Sequence, residues 1–373
     1  MLEKLQSQAE NTGRARRGGQ KNMKIEKYGL EELITEELKG KTGEALDRLW
    51  EEPWVKAAMD KSDRRREAFI QETAQRFRAN SDIIVVVADG ALAGLIDAAV
   101  SALPAELSPL EYGEILTELQ EADFSLIAVS EGEESVPLRG AYTCLKQLLL
   151  SKYGPEGAGG RIIAVAGKDS RLLAMEAADN DYPAIPQPDG VSAAYAANTE
   201  GVLLPLAAEG ADIGRYLDGF YDMLASPFWD LDGADYGIAR AAYSLRGRSV
   251  EEIQIWQKQL RSFGFWQELA AEQRQVKTVR MPVEKILSSE ENFRTTILIE
   301  EDEEDIMMPY FEGCNQDGSL NMLLKETAER EFAEEDQGPK IKLSVEQMDA
   351  YALGQLLAFA QLSNGITEYL LKA

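Results

Sequence analysis

Ser130-Glu131-Gly132-Glu133-Glu134-Ser135 is the stretch of this 373-residue chain whose residue types and position are best suited to chemistry. It lies between the apolar run 124–129 and Pro137, a residue that suits the first turn of a helix. A loop from a strand end to a helix N-terminus is where α/β folds bind anions, because unpaired N–H groups and the helix dipole converge there. Here two serine hydroxyls share that loop with three carboxylates, an arrangement that repels anions.

The other motifs fall short of a site. Gly90 and Gly94 in Ala88-Asp-Gly-Ala-Leu-Ala-Gly94 lack the G-x-G pair of a dinucleotide fingerprint. In Gly154-Pro-Glu-Gly-Ala-Gly-Gly160-Arg161 a glycine stands where a phosphate loop needs lysine, so a helix-to-strand turn is expected. Asp230, Asp232 and Asp235 do not have EF-hand spacing and read as acids at a helix N-terminus, and residues 300–305 read as a solvated acidic loop.

Composition removes whole classes of mechanism. The chain has no histidine, which excludes Ser-His and Cys-His nucleophiles and His-ligated metal centres. Cys144 and Cys314 are too few for a disulfide framework or an all-cysteine zinc site. Neither metal nor cofactor is expected. The net charge of −26 opposes nucleic acid and anionic membrane surfaces, so no nucleic-acid or membrane partner is expected. The most apolar stretch, 83–103, carries Asp89 and Asp97 and reads as a buried strand and helix rather than a membrane span. The acidic, cysteine-poor composition and the lack of an apolar leader place the protein in the cytoplasm as an expectation.

Periodicity supplies the elements that must hold the loop. Residues 1–22 are polar and read as a disordered tail, and 23–80 as an N-terminal helical layer. Strands are expected at 83–87, 124–129 and 161–166, each followed by a helix, with a short extended piece at 182–186. A second region, with strands near 253–256, 276–281, 295–300 and 340–343, ends in a long apolar helix over 345–371. The expected fold class is α/β with two doubly wound parallel sheets, at 81–233 and 234–373.

The segments Ala122-Asp-Phe-Ser-Leu-Ile-Ala-Val-Ser130 and Leu148-Leu-Leu-Ser-Lys-Tyr-Gly154 resemble the sugar-phosphate-binding segment of phosphoglucose (glucose-6-phosphate) isomerases. The resemblance continues through Pro188-Asp-Gly-Val191, Gly201-Val-Leu-Leu-Pro205 and Asp212-Ile213. It resumes at Pro309, Asp317-Gly-Ser-Leu-Asn321 and Tyr369-Leu-Leu371. It implies two sugar-isomerase (SIS) subdomains, a dimer of identical subunits, a sugar or sugar-phosphate ligand, and cofactor-free interconversion of glucose 6-phosphate and fructose 6-phosphate.

The family's chemical residues are not matched. Its Ser-Lys-Ser-Gly-Thr-Thr phosphate loop corresponds to residues 130–135, where only Ser130 is kept and Glu131 replaces the lysine. Its first glycine loop corresponds to 88–92 and keeps Gly90, and its Gly-Gly-Arg falls on Ser192-Ala193-Ala194. The base region contains Glu284, Glu290 and Glu291 without the family motif, and none is assignable as catalytic. The ring-opening histidine has no counterpart, and the family's last lysine lies beyond the position of Lys372-Ala373. Retained fold with altered chemistry leads to a pseudoenzyme with a binding or regulatory role, with Gly90, Ser130, Glu133, Glu134 and Ser135 lining whatever cleft remains. A cationic or amino-sugar ligand suits that cleft better than phosphate. The alternatives are an active isomerase with a rearranged site, using one of the three glutamates, and an acidic partner-binding scaffold.

Overall fold

The computed structural model describes residues 23–59, 64–103, 112–225, 233–248, 250–272, 277–281, 292–301, 305–308, 318–333 and 338–372. Residues 1–22, the three candidate glutamates Glu284, Glu290 and Glu291, Asp230, Asp232, Pro309 and Cys314 lie outside them. The chain folds as two compact units, Glu52–Gly214 and a second that combines Met1–Glu51 with Arg215–Ala373. The stretch read as one N-terminal helical layer is therefore shared between the two.

Its first element is a strand, β1 (Met23–Tyr28), where a helical layer is expected. Met-Lys-Ile-Glu-Lys-Tyr alternates in burial along its length, the period of an edge strand. Helix α1 (Glu36–Leu49) follows, started by the Thr35 side chain, which accepts from the Leu38 N–H at 3.3 Å.

The 52–214 unit contains α2 (Pro53–Met59), α3 (Arg64–Asn80), β2 (Ile83–Ala88), α4 (Gly90–Ser101), α5 (Tyr112–Glu121), β3 (Phe124–Ser130), α6 (Val136–Gly159), β4 (Ile162–Ala166), α7 (Leu172–Asn180), β5 (Ala184–Pro186) and α8 (Glu200–Glu209). The four strands form a wholly parallel sheet in the order β2-β3-β4-β5. Right-handed crossovers that advance in one direction keep their helices on one face. Accordingly Phe124, Leu126 and Ala128 of β3 pack with Leu119 of α5, Tyr142, Leu145 and Leu149 of α6, and Leu173 and Ala177 of α7. Helices α3, α4 and α8 supply the other cover. Helix α8 is buried from Glu200 to Ala208, which explains why Gly-Val-Leu-Leu-Pro-Leu-Ala-Ala has no polar face.

Register then sets the site. Ala88 pairs with Val129, Ser130 with Ala166, and Ala166 with Pro186. The residues that leave the sheet at the carboxyl ends of all four strands, Asp89, Glu131, Gly167 and Gln187, are thus delivered to one edge.

The other unit adds α9 (Ile213–Ala225), α10 (Gly233–Leu245), β6 (Val250–Ile255), α11 (Arg261–Glu272), β7 (Lys277–Met281), β8 (Phe293–Ile299), β9 (Met307–Met308), β10 (Gly318–Ser319), α12 (Leu320–Ala333), β11 (Lys340–Val345) and α13 (Ala350–Lys372). Its main sheet runs β1-β11-β8-β6-β7, parallel except for β1, which lies antiparallel to β11. Helix α13 is buried over nearly its whole length and packs against α1 and α10. Between α10 and β6, Arg240 (2% exposed) makes a two-pronged pair with Glu251, Nε to Oε1 at 3.1 Å and Nη2 to Oε2 at 2.7 Å, and donates to Asn364 Oδ1 at 2.8 Å. No helix among the described residues is long and apolar enough to cross a membrane.

Candidate functional site

The candidate loop folds by satisfying its own polar groups. Ser130 is buried, and its hydroxyl donates to the Gly132 carbonyl at 2.6 Å, closing the turn after β3. Ser135 caps α6: its Oγ accepts from the Leu138 N–H at 3.3 Å, with Pro137 in the first turn as the sequence requires.

The anion position beside that cap belongs to the protein itself. The Ser135 N–H donates to Asp89 Oδ2 at 3.2 Å, and the Ser135 hydroxyl donates to Asp89 Oδ1. Asp89 stands at the N-cap of α4 but makes no side-chain capping bond there. Its carboxylate reaches across to α6 instead and takes donors that a bound anion would use.

Glu134 has a different task. It is 2% exposed and turns away from the loop to cap α7, whose own N-cap residue, Arg171, makes no side-chain bond. Oε1 accepts from the Leu173 N–H at 3.0 Å and the Ser170 hydroxyl at 2.5 Å, and Oε2 from the N–H groups of Leu172 at 3.1 Å and Arg171 at 3.3 Å. Burial pushes this carboxyl up, but the hydrogen bonds from Leu173, Ser170, its own backbone and Leu172 outweigh it, and the net shift is downward. A carboxyl lowered on folding stabilises the native state above the unfolded group's range and ceases to do so as pH falls through its folded value. Glu134→Gln is expected to cost about 2 kcal/mol at pH 7, since charged hydrogen bonds to a helix end contribute roughly 1.5–3 kcal/mol. Urea unfolding checks this, and the gap from the parent should narrow on acidification; a cost below about 0.5 kcal/mol at pH 7 would refute the cap.

Two cavities open where the strands end. One, of about 230 Å³, is lined by Glu131, Lys168, Asp169, Gln187 and Asp189 among others. The second, about 580 Å³ and more open, is lined by Asp89, Gly90, Glu131, Gly132, Glu133 and Ser192. Of the residues expected at the site, Gly90 and Glu133 line the second cavity, while Ser130, Glu134 and Ser135 line neither and act as turn, cap and cap. Glu133 is exposed and pairs loosely with Arg139 Nη2 at 3.3 Å and Arg171 Nη1 at 3.8 Å. Among the described residues, Lys168 is the single cationic one lining either cavity.

Asp89 and Gln187 are functional candidates that residue type and spacing did not single out, and Glu131 was singled out with its loop but not expected to line the cleft. Glu131 borders both cavities, and its carboxyl is pushed up to about 7 by burial and then by the neighbouring charge of Asp89. Its position directly after the last strand residue was the available signal. The loop can sit there because residue 167 is glycine: a Cβ at that position would stand 1.8 Å from the Glu131 carbonyl oxygen. The Gly167 N–H donates to the Ser130 carbonyl at 2.8 Å, which ties the two strand ends together. Among the described residues no group of three or more histidine, cysteine or acidic side chains is placed to hold a metal ion.

No family model matches the chain. Among curated proteins it is similar to the glucose-6-phosphate isomerase of Levilactobacillus brevis, 25% identical over 365 residues that span 81% of this chain and 78% of that one. The glucose-6-phosphate isomerase of Streptococcus agalactiae is 23% identical over 349 residues, with the same shares covered. Among solved structures, a glucose-6-phosphate isomerase from Chlamydia trachomatis superposes with a TM-score of 0.73 at 12% identity, over 99% of this chain and 90% of that one. A hypothetical protein from Thermus thermophilus gives 0.72 at 19% identity, over 92% and 94%. The superpositions carry the fold and the curated relatives a likeness in sequence: the chain resembles the glucose-6-phosphate isomerase family and is built on the sugar-isomerase fold.

Proposed function

We propose that the protein is a pseudoenzyme of this family, which keeps the sugar-isomerase fold for a binding or regulatory role and does not interconvert sugar phosphates. The observation that carries this is the Asp89 carboxylate on the N–H and hydroxyl of Ser135. A phosphate at the α6 N-terminus must displace that carboxylate and then sit beside it, with Glu131 and Glu133 on the same cavity wall. Two unit charges at 4 Å interact by about 4 kcal/mol at an effective dielectric near 20, so two or three such repulsions cancel a millimolar-to-micromolar affinity of about −4 to −8 kcal/mol. By composition and family we place the protein in the cytoplasm as a homodimer.

A coupled assay for fructose 6-phosphate formation from glucose 6-phosphate should show no rate above background. Fructose 6-phosphate should not raise the thermal midpoint, whereas a ligand at 100 times its Kd adds about 2.7 kcal/mol. Turnover that E284Q, E290Q or E291Q abolishes would replace this reading with that of an active isomerase whose site has been rearranged.

A further inference from the structure

The 230 Å³ cavity contains two polar groups that the fold leaves unused. Glu131 Oε1 is shielded from solvent and has no hydrogen-bond partner. Gln187 is 8% exposed; its Oε1 accepts from the Gly201 N–H at 3.3 Å, and no described residue accepts from its Nε2. A buried polar atom is ordinarily satisfied, because an unmade hydrogen bond costs its full desolvation, and Glu131 Oε1 is an exception. One carboxyl and one amide donor, both unclaimed at the end of a parallel sheet, describe half of a recognition site.

The missing half is defined by the charges around it. Lys168 and Asp169 come from the β4–α7 connection and Asp189 from the segment after β5, while Asp89 and Glu133 line the neighbouring cavity. Two carboxylates against one ammonium on this wall, before Glu131 is counted, favour a cation over a neutral molecule and disfavour an anion. At roughly 30 Å³ per water molecule, the cavity holds about as much matter as eight waters, enough for one monosaccharide.

We propose that this cavity binds a hydroxylated amine of monosaccharide size, with its ammonium on the Glu131 carboxylate and a hydroxyl oxygen accepting from Gln187 Nε2. This rests on the reading above, that phosphate is not the ligand, and names the class that takes its place. Glu131 ionises near pH 7, so an ammonium captures it by releasing a proton, and affinity rises as pH increases through that value.

The test is calorimetric titration of the full chain with 1-amino-1-deoxysorbitol, which remains an ammonium between pH 6 and 8 as aliphatic amines do. Sorbitol and glucose 6-phosphate are the uncharged and anionic comparisons. The amine should bind about tenfold more tightly at pH 8 than at pH 6, sorbitol at least tenfold more weakly than the amine at pH 8, and glucose 6-phosphate not at all. E131Q, nearly isosteric, should lose at least tenfold in affinity at pH 8 together with the pH dependence, and Q187L should weaken binding at both pH values. Should Q187L fail to fold, E131Q decides alone. No binding of the amine, equal binding of sorbitol, or unchanged binding to E131Q overturns the proposal. If glucose 6-phosphate is also silent in that case, the pseudoenzyme reading survives; binding of glucose 6-phosphate would overturn both.

Discussion

Gly167→Ala is expected to destabilise the 52–214 unit by roughly 3 kcal/mol or more, and to abolish ligand binding at the strand ends. A Cβ at this position would lie 1.8 Å from the Glu131 carbonyl oxygen, 2.5 Å from its carbon and 3.1 Å from its Cα. All three are backbone atoms, so no side chain can swing aside, and overpacking that only backbone movement can relieve costs at the upper end of about 1–3 kcal/mol or beyond. Relief requires the β3–α6 and β4–α7 connections to separate, which breaks the 2.8 Å bond from the Gly167 N–H to Ser130. It also displaces Glu131, the group that borders both cavities. Urea unfolding measures the first effect and titration with the amine the second. A loss below 1 kcal/mol would show that the two connections are not held in the contact described.

Arg240→Ala should cost about 3–5 kcal/mol, the range for removing one partner of a buried ion pair. Glu251, 3% exposed, would lose both of its guanidinium bonds, and Asn364 Oδ1 would lose a donor. Contact of the guanidinium with the Tyr236 ring, 5.0 Å from its centroid, would be lost as well. The expense lies in the carboxylate left behind rather than in the strength of the pair. The double replacement Arg240→Met with Glu251→Leu should therefore recover most of the stability, because apolar groups of similar volume often substitute for a buried pair without loss. If the double variant is no more stable than Arg240→Ala, the pair itself carries the energy and this account is wrong.

Elements and their types were readable because they depend on neighbours in the chain. Ile83 to Val87 is β-branched throughout and is a strand; Val202 to Ala208 is apolar on all sides and is a buried helix. Strand β1 was harder to read. Its Met-Lys-Ile-Glu-Lys-Tyr pattern is a two-residue alternation only six residues long, next to helical periodicity, and it becomes a strand by pairing with β11, with Met23 opposite Val345. Placing the candidate loop at a strand end was also within reach, since Phe124–Ser130 and the Ser135-Val-Pro137 cap mark its two borders.

The composition and order of residues by themselves determined that this is an α/β protein, without histidine chemistry and strongly acidic, and its resemblance to glucose-6-phosphate isomerases implied the sugar-isomerase fold, with carboxylates where those proteins have a phosphate loop. Tertiary structure alone decided what each carboxylate does. Glu131 and Glu134 are three residues apart, yet one borders two cavities and the other caps a helix, because Glu134 meets the Leu173 N–H across 39 residues and the Ser135 donors meet Asp89 across 46. A side chain's role follows from which donors reach it, and those donors arrive from distant parts of the chain only after parallel strand register has brought the four strand ends together.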